Sequence, residues 1–286
     1  WDALEERVLA ALFGDHPYGR PVLGTRAELL ATGRADLAAF HAAAYRPSNA
    51  VLVVAGDVGE EAFAAVEEAF GGVADRPVGA VAEARPVAPA AAGPRRVEQR
   101  MGELPRLMLA FRVPPASHPD HALLRVASVV LGSGRASRLQ RLLVDEEELC
   151  ATAAADIGES VEPASFTVSC ELVPGAEPAR VEALVAGEIA ALASGERPPS
   201  PAELARARRV TAADWVFGHE RVHQQALAAG FVLALFDLGH FEREMEHALA
   251  APAGEIAAAA GRHLDLSAAV VGWSLPRERR EPEDAR

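Results

Sequence analysis

Two stretches of this 286-residue chain can be laid on one another without a gap. Residues 36–52 (DLAAFHAAAYRPSNAVL) set against 255–271 (EIAAAAGRHLDLSAAVV) place Asp36 on Glu255, Leu37 on Ile256, Tyr45 on Leu264, Ala50 on Ala269 and Val51 on Val270. Each copy reads as a helix, a short loop and an apolar run of strand length. The offset is 219 positions. Such an echo restricts the fold to one that uses the same helix-to-strand ending twice. A second copy opening near Arg95 would put the start of the first about 120 residues upstream of Trp1. Trp1 stands where Met is expected, and no basic then apolar leader follows it, which we read as a start removed by processing or truncation.

Periodicity supplies the rest of the outline. Leu4, Val8, Ala11 and Leu12 share one face of a helix over residues 1–13, stopped by Gly14. A second helix is expected over Arg34–Ala44, with Leu37, Phe40 and Ala44 on one face. The run Asn49–Ala55 (NAVLVVA), ended by Gly56-Asp57, is expected to form a buried strand, and Glu60–Phe70 an amphipathic helix. Residues 74–94 hold four prolines among alanines with no hydrophobic period, as in a semi-rigid interdomain linker. Beyond it, strands are expected at Arg96–Met101 and Arg106–Val113, and helices at Asp120–Leu131 and Ser137–Glu147. A hairpin follows at Cys150–Gly158 and Ala164–Val173, then three or four helices between Pro178 and His263, a strand at Ala268–Trp273, and a charged tail. That order points to an α+β sheet with helices on one face.

Charge and cysteine content narrow the chemistry. All 28 basic residues are arginine, and 41 acidic residues bring the net charge to −13. An acidic excess works against a nucleic-acid groove or an anionic membrane as partner and favours cationic ligands. The longest nearly apolar run, Ala226–Phe236, is shorter than the roughly 20 residues a membrane span needs. Cys150 and Cys170 have no CxxC spacing and no histidine close in sequence, which argues against a zinc knot; on facing strands of the expected hairpin a disulfide is conceivable, and two buried thiols are the favoured reading.

Three segments carry a resemblance. His16-Pro17-Tyr18-Gly19-Arg20-Pro21-Val22-Leu23-Gly24-Thr25, the stretch Tyr45-Arg46-Pro47-Ser48-Asn49-Ala50-Val51-Leu52-Val53-Val54-Ala55-Gly56-Asp57, and the turn Leu131-Gly132-Ser133-Gly134-Arg135-Ala136-Ser137-Arg138-Leu139 follow one another in the chain. Together they resemble the insulinase/pitrilysin family of inverted-zincin metallopeptidases, in its processing-peptidase branch. The resemblance implies a duplicated α+β domain with a mostly antiparallel sheet and helices packed on one face. It divides the chain into the end of a first domain (1–73), a linker (74–94), a complete second domain (95–276) and a mobile charged tail (277–286). It also implies a zinc held by an H-x-x-E-H helix and a later Glu, with the helix Glu activating a metal-bound water. No H-x-x-E-H occurs here, and Glu5 and Glu6 lie too close to the His16 loop to be the later ligand. The family's zinc site is therefore expected before Trp1, and no metal or catalytic residue is assigned within this chain. Many relatives also carry an arginine and a tyrosine seven residues apart that hold substrate; Val144 and Ala151 stand at those positions. The implied function is the C-terminal portion of a zinc-dependent metalloendopeptidase that supplies chamber wall and dimer surface and is inactive alone. A non-catalytic assembly or core subunit of the same family is the alternative. The implied partners are a peptide or unfolded protein, basic ones included, and a family subunit in a homo- or heterodimer. The implied compartment is bacterial, cytoplasm or periplasm.

Other motifs have competing readings. His219-Glu220-Arg221-Val222-His223 is a literal H-E-x-x-H, with Glu242 available as a third ligand, and on a helix its histidines would share a face as an ordinary zincin requires. Against that, His219 falls on the stripe of Trp215, Val222 and Ala226, where a half-buried, hydrogen-bonded imidazole is expected. Gly132-Ser133-Gly134 reads as a turn between helices rather than a phosphate loop, since Ser137 stands where a third glycine belongs. His16 is expected to fix its loop by a hydrogen bond. His118 and His121 flank a helix start at Pro119-Asp120, which suits capping better than metal. Asp145–Glu148 reads as a solvated helix end, and in a peptidase acting on basic peptides it would line the chamber wall.

Overall fold

A computed structural model of the chain describes residues 1–75 and 95–277. The segment read as a linker lies outside the described residues except for Ala74 and Asp75, and the tail except for Arg277. The described residues fall into two compact units, one of 1–20, 95–211 and 244–277, the other of 21–75 and 212–243.

The first unit is built on a five-stranded sheet. Its strands are β1 (Arg95–Arg100), β2 (Arg106–Val113), β3 (Cys150–Ile157), β4 (Ala164–Leu172) and β5 (Val270–Leu275), in the order β1-β5-β2-β4-β3. Only β1 and β5 run parallel; the other neighbours are antiparallel. Alternation along β2 sorts its side chains onto two faces. Leu107, Leu109, Phe111 and Val113 join Phe166, Val168, Cys170, Val271 and Trp273 in the main core, under helices α5 (Pro119–Gly132), α7 (Pro178–Ala193) and α11 (Ala253–His263). Met108, Ala110 and Val270 point the other way, where helix α1 (Asp2–Phe13) covers them with Leu4, Val8, Leu12 and Phe13. The expected layer of helices on one face is present, and the second face carries α1 as well. A side chain on Gly272 would collide with Val8, so only glycine lets α1 lie this close to β5.

Arginines fasten the end of α1. Arg95 donates to the Ala11 carbonyl and Arg112 to the Leu12 carbonyl, and the Arg112 guanidinium lies over the Phe13 ring, 5.7 Å from its centre. Cations are favourable at the negative end of a helix, where the last carbonyls have no partner of their own. Burial, with the neighbouring Arg95 charge, lowers the Arg112 pKa.

The second unit contains α2 (Arg26–Ala31), α3 (Arg34–Ala44), α4 (Glu61–Phe70) and α9 (Val222–Leu235). The apolar run expected to be a buried strand is not one. After Ala50, which is extended, Val51–Ala55 pairs with no strand among the described residues, and Val51, Leu52 and Val54 are exposed. A strand needs a ladder partner before its apolar faces can be buried. The sequence echo shows which strand these residues correspond to. At an offset of 219, α11 falls on α3 residue for residue, and the short 3-10 turn Leu266–Ala268 falls on Pro47–Asn49. Residues 51–56 then correspond to β5, which is flanked by β1 and β2. Ile256 and Val270 are wholly buried, while their counterparts Leu37 and Val51 are 61% and 48% exposed.

Five helices, not three or four, fill Pro178–His263: α7, α8 (Pro201–Gly218), α9, α10 (His240–Ala250) and α11. The helices break at 219–221 (His-Glu-Arg) and at 236–239 (Phe-Asp-Leu-Gly), on either side of the apolar helix α9.

The two copies predict opposite mutational behaviour. Ile256→Ala should cost about 2–5 kcal/mol, whereas Leu37→Ala should stay within about 0.5 kcal/mol. Urea denaturation of the two variants, followed by tryptophan fluorescence, checks the contrast.

Candidate functional site

The literal zincin string does not form a metal site. It straddles the break between α8 and α9: His219 follows the last turn of α8, Arg221 is extended (φ −101°, ψ 142°), and His223 is the second residue of α9. With the helix interrupted between them, the two imidazoles lose the one-turn register that a zincin needs. His219 Nδ1 instead lies 2.8 Å from the Trp215 carbonyl, and its ring packs 4.0 Å from the indole; His223 and Glu242 are exposed. These residues do not fit a zinc ion.

Four other histidines have structural partners. His16 Nδ1 accepts from the Tyr18 amide at 3.2 Å and caps the turn Pro17–Gly19, as expected for a loop-fixing residue. His118 is the N-cap of α5, its Nδ1 accepting from the Asp120 amide at 3.1 Å. Asp120 takes a fork of two bonds from Arg262, at 2.9 and 2.7 Å, and a third from His263 Nε2 at 2.8 Å. The Arg262 bonds, working against burial and helped by His263, hold the Asp120 carboxyl at about 2. His121 does not cap the helix, and both its ring nitrogens have protein partners. It is wholly buried, with Nδ1 2.7 Å from Glu244 and Nε2 3.0 Å from the Gly158 carbonyl, and Arg125 donates to the same Glu244. Burial would raise the Glu244 pKa, but the His121 bond and the Arg125 charge outweigh it and hold the carboxyl low.

The glycine turn is likewise architectural. Gly132 ends α5 where a Cβ would collide with the Ala155 backbone, and Gly134 is left-handed (φ 77°). Beyond it, α6 (Arg138–Gln140) continues as a π-helical turn over Arg141–Glu146, and Glu148 (φ 53°) reverses the chain into β3. Within the acidic run, Glu146 pairs with Arg141 and Glu147 with Arg180, leaving Asp145 and Glu148 exposed. Val144 packs against the core, and Ala151 is the exposed residue of a bulge in β3. Cys150 and Cys170 are buried free thiols. A hydrogen bond between the two thiols lowers the Cys150 pKa and, with burial, raises that of Cys170.

A polar constellation that sequence reading missed lies where α6, the end of α7 and the start of α8 meet, around a cleft of about 340 Å³. Arg138 holds Glu203 with two bonds, at 2.7 and 3.0 Å, and its other donors reach the carbonyls of Arg197 and Pro198. Glu203 also exchanges bonds with Ser200, a capping box written in the sequence as Ser-x-x-Glu. The Arg138 bonds, against burial and with help from Ser200, bring the Glu203 carboxyl to about 2. Arg197 donates to Glu188 at 2.6 Å. The capping box was legible, but the long-range arginine partners carry no local sequence signal. A second cleft, of about 470 Å³, lies between β1 and α7 beside the Arg96–Glu182–Trp273 network.

Comparison with known proteins gives a consistent picture. The family model of the "peptidase M16 inactive domain" matches residues 32–211, more than half of the chain. An uncharacterized zinc protease of Mycobacterium leprae is 32% identical over 176 residues, which are 61% of this chain and 40% of that protein. Zinc protease PqqE of Helicobacter pylori is 29% identical over 141 residues, 48% of this chain and 32% of that protein. The chain thus spans well under half the length of these relatives. In fold it is similar to a protease from Helicobacter pylori (TM-score 0.87, 22% identity), with 96% of this chain and 66% of that one covered. It is also similar to a peptidase M16 inactive domain from Pseudomonas fluorescens (TM-score 0.77, 20% identity, 98% and 66% covered).

The depressed Asp120 carboxyl sets a pH dependence. A carboxyl whose folded pKa lies below its unfolded value adds stability above about pH 4, and that stability is lost as pH falls toward 2. Asp120→Asn should therefore destabilise at pH 7, with the deficit shrinking between pH 4 and pH 2 while Glu203 keeps part of the acid slope. Urea midpoints measured across that range check it.

Proposed function

From the fact that the chain belongs to the family of the peptidase M16 inactive domain, we propose that it is the non-catalytic C-terminal portion of a zinc metalloendopeptidase. In this reading residues 1–73 end a first domain of the same fold, 74–94 link the two, and 95–276 form the second. The observation that carries it is the repeat at offset 219. The helix and turn that lead into β5 recur at 34–49, and residues 51–56 stand at the positions of β5 unpaired among the described residues, with Val51, Leu52 and Val54 open. A first-domain sheet in the intact polypeptide would flank 51–56 as β1 and β2 flank β5. The zinc proteases among the relatives are longer than this chain, which leaves room for such a domain.

Within that protein the catalytic metal would sit on the first domain, where bound zinc supplies an activated water for peptide-bond hydrolysis. The string His219–His223 does not fit the ion, because Arg221 breaks the helix between its two imidazoles, so no step is assigned to it. The part of the chain is to form a wall of a chamber for unfolded peptide, basic peptide included, and a surface for a partner subunit. The acidic balance of the chain supports a cationic substrate. Among the described residues no single helix is long and apolar enough to cross a membrane.

Metal analysis and peptidase assays on this chain and on the full polypeptide from its gene test the proposal. The chain alone should hold no stoichiometric zinc and cleave nothing, while the full polypeptide holds one zinc and cleaves unfolded protein. A full polypeptide with neither property would sink the peptidase reading in favour of an assembly subunit.

A further inference from the structure

The cleft beside α6 contains a carboxylate that is only half used. The Glu188 side chain is 9% exposed, and its Oε1 accepts a single bond, at 2.6 Å, from one terminal nitrogen of Arg197. Its Oε2 is buried with no hydrogen-bond partner among the described residues. Guanidinium and carboxylate pair best through two parallel bonds, and a buried carboxylate oxygen without a donor is costly. Arg197 achieves only one of the two. Its side chain is 55% exposed, and its backbone is fixed independently: the amide donates to the Ala191 carbonyl at 2.8 Å, and Arg138 holds its carbonyl at 2.9 Å. The side chain can therefore leave Glu188 without moving the loop. The other charges on the cleft are already matched, Arg138 with Glu203 and Arg141 with Glu146, so displacing Arg197 uncovers one negative charge facing about 340 Å³ of space.

We propose that this cleft is a guanidinium-binding subsite in which Glu188 is the receptor carboxylate and Arg197 an internal occupant that an incoming guanidinium displaces. The incoming group approaches along the cleft and forms the forked pair that Arg197 does not. Its source is either a small free guanidine or an arginine side chain within a peptide. The proposal stands on the geometry of this cleft and holds whether or not the chain belongs to a peptidase.

Calorimetric titration of the whole chain with agmatine, and separately with an acetylated and amidated Ala-Arg-Ala peptide, tests it. Arg197→Ala should bind one or both probes about tenfold tighter than the unaltered chain, because a charge-assisted internal competitor is gone. Glu188→Gln, close in shape, should lose that binding, and the double variant should bind no better than Glu188→Gln. Binding of the peptide alone assigns the site to arginine in a chain; binding of both assigns it to the bare guanidinium. Acetyl-lysine amide, lacking the fork, should bind more weakly than either. The proposal is overturned if Arg197→Ala binds neither probe, or binds no tighter than the unaltered chain, or if Glu188→Gln binds as well as the unaltered chain. Thermal melts of each variant show that it is folded before titration.

Discussion

Strands β2 and β5 are apolar on both faces, and this fixes much of the first unit. In β2, Leu107, Leu109 and Phe111 alternate with Met108 and Ala110, and all five are buried; in β5, Val270, Val271 and Trp273 are buried on alternating sides. A strand of this kind must have cover above and below, because each exposed large apolar side chain forfeits about 1.5–3 kcal/mol. Helices α5, α7 and α11 cover one side, and α1 covers the other. That requirement ties the first thirteen residues to strands that begin more than eighty positions later.

Much of this was legible in the sequence, and the parts that were not share a cause. The face of α1 was readable from Leu4, Val8 and Leu12, yet nothing local said which surface it would cover. The strand run at 51–55 and the strand β5 look alike as sequence, and only one is paired. Burial of a strand is decided by its neighbours in the sheet, which a local pattern does not contain. The opposite error is possible with the zincin string. Five residues matched a motif, but Arg221 leaves the helical region and separates the two imidazoles that the motif needs on one turn. Spacing implies geometry only where the helix is continuous.

The echo at offset 219 was more informative than any single motif because it compares two contexts of one pattern. Where the pattern sits in a complete sheet, Ile256, Leu264 and Val270 vanish into the core; where it does not, Leu37, Tyr45 and Val51 stay open. The sequence has kept apolar residues at both sets of positions. A set of open apolar residues at register positions that are core elsewhere in the same chain is a stronger sign of a missing layer than exposure by itself, since scattered exposed apolar residues are common.

The absence of lysine acquires a physical consequence in this setting. Arginine after arginine spends its donors on backbone carbonyls at the ends of elements. Arg95 and Arg112 take those at the end of α1, Arg206 takes Val129 and Ser133 at the end of α5, and Arg208 takes Ala251 just beyond α10. Arg138 takes two carbonyls and a carboxylate at once. An ammonium on a flexible stem offers three donors radiating from one point and cannot reproduce a planar fork that reaches two carbonyls on neighbouring turns. Changing Arg138 or Arg206 to lysine would therefore preserve charge and still leave carbonyls without donors. Glu188 departs from this pattern: it is a buried carboxylate served by a single arginine bond, with its second oxygen left without a donor among the described residues.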